Sequence, residues 1–168
     1  KTREMRTFTN EHCEFSYRSS FFKKNPEWVI ISATFNLEPA EPKVCLTKAK
    51  DILKQRNERQ MQDIQSAGSY FMNPRVPLEV QELFKQEKGV AAREGRVPAG
   101  WLIEKAGLKD TCEGQVCTGA RSANYFINTG GATSDQALTL ARTIKDAVRE
   151  TFKVVLKEEI TKVGIPRD

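Results

Sequence analysis

Residues 133–156 read TSDQALTLARTIKDAVRETFKVVL, and this run decides the fold class. Thr133 with Gln136 three positions on has the form of a capping box, in which two side chains satisfy the open N–H groups of a helix start. Ala137, Leu140, Ala141, Ile144, Ala147 and Val148 then recur at three- and four-residue spacing, which predicts an amphipathic helix to about Thr151. Lys153 to Leu156, with Val154 and Val155 at its centre, is expected to resume as a strand.

The elements around this run are mixed in kind. Tyr125-Phe126-Ile127-Asn128 predicts a short strand ahead of Thr129-Gly130-Gly131, a turn that needs glycine's backbone freedom. Ala99 to Ala106 reads as a helix with Trp101, Leu102 and Ile103 toward the core, ended by Gly107. Leu78 to Lys88 reads as another, with Val80, Leu83 and Phe84 inward. Further back, Lys43 to about Arg59 places Val44, Leu46, Ala49, Ile52 and Leu53 near one helical face. Trp28 to Leu37 is β-branched and aromatic and predicts a strand, stopped by Glu38-Pro39-Ala40-Glu41-Pro42. Helices and strands do not alternate regularly, which indicates an α+β fold with a mixed or antiparallel sheet and packed helices. A domain junction is expected near residues 60–65, giving 1–42 as the tail of one domain, 43–59 as a connecting helix and 60–168 as a second domain.

Composition narrows the function classes. With 39% hydrophobic and 29% charged residues and no repeats, the chain reads as folded and not disordered. Its net charge of +5 is spread among interleaved acids and bases, without a basic run carrying stacking aromatics, so no nucleic-acid partner is expected. No apolar run approaches the roughly 20 residues of a membrane span, and residues 1–9 lack a signal peptide's apolar centre; a cytoplasmic protein with no membrane partner is expected. Cys13, Cys45, Cys112 and Cys117 are expected as reduced thiols. No metal site is expected, and the single histidine, His12, reads as a surface residue.

Neither a phosphate-cradling glycine loop nor a Ser-His-Asp set is present. In Ser66-Ala67-Gly68-Ser69-Tyr70-Phe71-Met72-Asn73-Pro74, small residues around Ser69 would let a ligand approach closely, although the same composition also makes a tight turn. Glu158-Glu159 is open to the same two readings, functional carboxylate or solvated surface.

Five segments occur in the order and approximate spacing of one family: residues 17–23 (YRSSFFK); Ser66-Ala67-Gly68-Ser69 with Asn73-Pro74; residues 98–109 (PAGWLIEKAGLK); residues 123–128 (ANYFIN) with Gly130-Gly131-Ala132-Thr133; and Leu156 through Gly164. On these the chain resembles the UDP-N-acetylenolpyruvoylglucosamine reductases of peptidoglycan synthesis, over nearly its whole length and in their carboxyl-terminal portion. The resemblance implies FAD and NADPH as cofactors, UDP-N-acetylglucosamine enolpyruvate as substrate, and an amino-terminal FAD domain of the same enzyme as partner. It leaves the cofactor-binding residues unknown, mainly in that amino-terminal region.

The resemblance also implies the site. Arg18 would hold the enolpyruvyl carboxylate, Ser69 would give the proton, and Glu159 would stabilise the intermediate as the acid three residues after Leu156. Tyr17, Arg59 and Asn73 would contact substrate. Departures from the family pattern fall at Met61, Gln65, Met72 and Ser122 and bear on affinity more than on the catalytic set. The competing expectation is a flavin-free sugar-nucleotide binding module or an inactive remnant.

Overall fold

In the computed structural model, which describes residues 4–59 and 64–164, the chain separates into two units, Lys1–Gln55 and Arg56–Asp168. The first is organised by aromatic rings. Phe8 has its ring centroid 5.0 Å from Phe21, 5.1 Å from Phe22 and 5.3 Å from Trp28. Helix α1 (Phe21–Lys24) begins at Ser20, whose Oγ accepts the Lys23 N–H at 3.3 Å. Helix α2 (Pro42–Arg59) realises the helix expected from Lys43, with a proline in the first turn where a missing N–H costs nothing. His12 is exposed, as expected.

The strand expected over Trp28 to Leu37 is corrected. No paired strand forms there, and Val29 and Leu37 are 82% and 86% exposed. A strand is completed by a neighbour's hydrogen bonds, and among the described residues no ladder partner meets this segment. β-branched composition sets the local preference for extension but supplies no ladder.

The second unit contains α3 (Leu78–Lys88), α4 (Ala99–Lys105), the strands β1 (Cys112–Glu113), β2 (Val116–Thr118) and β3 (Phe126–Asn128), and α5 (Ser134–Phe152). The strands form an antiparallel sheet in the order β1-β2-β3, with Cys117 opposite both Cys112 and Ile127. The α+β expectation holds. Helix α5 begins with the capping box foreseen at Thr133 and Gln136 and buries Leu140, Ala141, Ile144 and Val148. Trp101, Leu102 and Ile103 of α4 join the same core. Leu83 of α3 does not: it is 45% exposed, while Val80 and Phe84 carry that helix's buried face.

Two further expectations change. The strand expected over Lys153 to Leu156 does not form: Lys153 closes α5 in the left-handed region at φ +57°, and residues 154–157 belong to no named strand, with one bridge, Phe71 to Glu158, tying the following residue to the fold. Cys112 and Cys117 are joined as a disulfide, whereas reduced thiols were expected; the β1-β2 register sets them face to face with Cα atoms 4.0 Å apart. Cys13 and Cys45 are free thiols. Among the described residues no helix is long and apolar enough to cross a membrane, and no group of His, Cys, Asp or Glu gathers as a metal site.

One buried amide joins segments far apart in sequence. Asn124, 5% exposed, accepts the Phe71 N–H at 2.9 Å and donates to the Phe71 carbonyl at 2.8 Å. Its own carbonyl accepts the Tyr70 N–H at 2.8 Å. Asn124→Ala leaves two buried backbone groups of Phe71 without these partners, and the chain is expected to lose about 3 kcal/mol of stability in a urea titration.

Candidate active site

A left-handed glycine delivers Ser69 to its position. Gly68 has φ +92°, a conformation costly for any residue with a Cβ, and its N–H reaches the Ser66 Oγ at 3.2 Å. Ser69 then bridges Tyr125 and is exposed. On the other side of the segment, the Glu159 N–H donates to the Tyr70 carbonyl and the Met72 N–H to the Lys157 carbonyl, each at 2.8 Å. Segment 69–72 therefore lies between residues 122–126 and residues 157–159. Ser69 and Glu159, ninety positions apart, are brought onto adjoining backbone segments, and Glu159 is half-buried.

Tyr70 is the buried partner of this pair. Its ring stacks on Phe126 at 4.0 Å, and burial, with a second push from the negative charge of Glu158, raises its phenol to about 12. Glu158 is set differently from Glu159. Burial acts to raise its carboxyl, but hydrogen bonds from Lys145 and Lys162 outweigh this and hold it below the ordinary carboxylate range. Those contacts are 2.6 Å to Lys145 Nζ and 3.2 Å to Lys162 Nζ.

Asn73 is anchored between loop and helix. Its Oδ1 accepts the Ala99 N–H at 3.0 Å at the start of α4, and its carbonyl accepts Arg96 Nη1 at 3.0 Å. Gln65 pairs with Asn128, whose N–H reaches the Gln65 carbonyl at 2.8 Å. Met72 and Ser122 are half-buried. Met61 and the Arg59 side chain lie outside the described residues.

Tyr17 and Arg18 belong to the first unit. They form the tip of a tight turn closed by two 3.0 Å bonds between Ser16 and Ser19. Arg18 takes φ +55°, which costs a non-glycine residue about 1 kcal/mol. The surrounding bonds hold it there: Lys23 Nζ donates to its carbonyl at 3.3 Å, and its guanidinium sits 5.4 Å from the Tyr17 ring centroid. In the second unit, the contacts of Tyr70, Asn124 and Lys145 around segment 69–72 were not foreseen, because only the fold makes them.

The described residues do not by themselves fit a flavin. No described residue of the first unit is buried, and the concavity on α2, bordered by Lys43, Val44 and Ile52, lies open on one helix. A ring system of that size is ordinarily enclosed by apolar walls.

Residues 59–163 match the family described as UDP-N-acetylenolpyruvoylglucosamine reductase, C-terminal domain. The UDP-N-acetylenolpyruvoylglucosamine reductase of Solibacter usitatus is 34% identical over 163 residues, covering 95% of this chain and 51% of the relative. That of Carboxydothermus hydrogenoformans is 32% identical over 161 residues, covering 96% and 46%. The chain thus spans about half the length of the curated relatives it matches. In fold it is similar to the crystal structure of UDP-N-acetylenolpyruvylglucosamine reductase from Thermus caldophilus, with a TM-score of 0.62 at 24% identity over 90% of this chain and 46% of that one.

The Tyr70 environment sets an alkaline limit. A phenol whose folded value is raised from 10.0 to about 12 contributes stability that is full below pH 10 and is lost as pH climbs to about 12. Urea midpoints measured across that window should fall for the native chain and fall less for Tyr70→Phe.

Proposed function

Since this chain belongs to the UDP-N-acetylenolpyruvoylglucosamine reductase family, we propose that it is the substrate-handling portion of an FAD- and NADPH-dependent oxidoreductase. The reaction would convert UDP-N-acetylglucosamine enolpyruvate to UDP-N-acetylmuramate for peptidoglycan, in the cytoplasm. FAD, reduced by NADPH and held mainly by an amino-terminal domain that partners this chain, supplies the reducing equivalents when bound. The steps assigned to this chain concern charge and a proton.

Arg18 binds the enolpyruvyl carboxylate. Its planar guanidinium offers paired N–H donors and stays charged throughout, so it stabilises negative charge as the double bond is reduced. Ser69 gives its hydroxyl proton to the carbon bearing that carboxylate. Serine is a weak acid, but the carbanionic acceptor is a strong base, and the small residues Ala67 and Gly68 leave room for close approach. Glu159 stabilises the same centre by hydrogen bonding as charge develops there. Tyr17, Arg59 and Asn73 hold the rest of the substrate; through its bond to Ala99, Asn73 is tied to the start of α4 and thereby to the core.

The observation that carries this reading is the Glu159 N–H bond to Tyr70 at 2.8 Å. It joins a carboxylate-bearing residue to the residue that follows the serine it is meant to assist, within residues that match the family. In the complete enzyme, Ser69→Ala should leave flavin reduction by NADPH unchanged and slow the enolpyruvyl half-reaction by roughly a hundred- to ten-thousand-fold. Stopped-flow absorbance separates the two half-reactions, and unchanged enolpyruvyl reduction would remove Ser69 from the mechanism.

A further inference from the structure

Glu158 and Glu159 are neighbouring carboxylates on one extended segment, and such a segment sends successive side chains to opposite sides. Which one occupies a given side depends on register alone. A slip of one residue against segment 69–72 would exchange the two carboxylates without changing the chemistry of either. The backbone bonds that set the register are few: Glu159 N–H to Tyr70 and Met72 N–H to Lys157, around the single Phe71–Glu158 bridge. So short a ladder specifies register weakly by itself.

Charge supplies a second constraint. Lys145 projects from α5, a helix fixed in the core by Ile144 and Val148, and its Nζ lies 2.6 Å from Glu158. Lys162 reaches the other oxygen of the same carboxylate at 3.2 Å. The Glu158 side chain is only 15% exposed, so solvent screens these pairs less than it screens ordinary surface ones. In the slipped register Glu158 would leave its lysines.

We propose that Lys145, acting through Glu158 and seconded by Lys162, is a positioning residue that selects the register in which Glu158 pairs with Phe71 and the Glu159 N–H, not that of Glu158, meets the Tyr70 carbonyl. The assignment rests on the reading of Glu159 as the active carboxylate; the register itself does not. Lys145 touches no substrate in this account. It ties a short segment to a helix that buries Leu140, Ala141, Ile144 and Val148 in the core, and the choice between two identical side chains follows.

Amide hydrogen exchange in the 168-residue chain tests the register. Lys145→Met should lower protection of the Glu159 and Met72 amides about tenfold, with the Ile144 and Val148 amides unchanged. Glu158→Gln should do the same, and Lys145→Arg should preserve protection. Unchanged protection at Glu159 in Lys145→Met, or an equal loss across α5, would overturn the proposal. In the complete enzyme, Lys145→Met should reduce kcat about tenfold with KM altered less than about twofold, and Lys145→Arg should restore kcat. Full turnover by Glu159→Gln would instead sink the reading of Glu159 and with it the catalytic meaning of the register, while the exchange result would stand.

Discussion

The Asn124 side chain, buried between two segments, makes both hydrogen bonds that the Phe71 backbone offers. Segment 69–72 belongs to none of the named strands, so its polar backbone groups must find partners elsewhere or be buried at a cost. Asn124 meets that need on one side, and residues 157–159 meet it on the other. Remove the first attachment and the Phe71 backbone loses both side-chain partners that hold it beside residues 122–126. The geometry of the candidate site around Ser69 is thus a consequence of how an irregular segment satisfies its hydrogen bonds.

The core beneath supplies rigidity without supplying chemistry. Leu140, Ile144 and Val148 of α5 and Leu102 and Ile103 of α4 are buried almost completely. The polar groups around Ser69 lie at the edge of this apolar mass, where Tyr70 is pressed against Phe126 and Glu158 is drawn to two lysines. In the first unit the logic differs. No described residue there is buried, and local bonds within the turn and from Lys23 hold Arg18 in its left-handed conformation.

Elements with strong local signals were legible in the sequence. Helix α3 has Pro77 ahead of it and the left-handed Gly89 behind, and α5 carries its capping box in four residues. Elements defined by partners were not legible. Trp28 to Leu37 has the composition of a strand, yet pairing is a property of two segments and composition reports only one. The β1-β2 hairpin escaped because Cys112–Glu113 is too short for any period, its one local clue being Gly114 in the turn at φ +55°. Leu83 fits the spacing of a buried face but falls at its margin. For the site, residue types and order pointed to Ser69, Glu159 and Arg18 through family resemblance. The roles of Asn124, Tyr70 and Lys145 depend on contacts spanning 53, 89 and 13 positions and could come only from the fold.

The most direct test of the account is a substrate titration of this chain followed by amide NMR, using UDP-N-acetylglucosamine enolpyruvate. The account predicts saturable shifts concentrated on residues 17–18, 66–73 and 157–160, with those of Ser69→Ala retained in place, because that serine is assigned to the proton and not to binding. Shifts confined to α2, or none in these stretches at a substrate excess that saturates the complete enzyme, would contradict it.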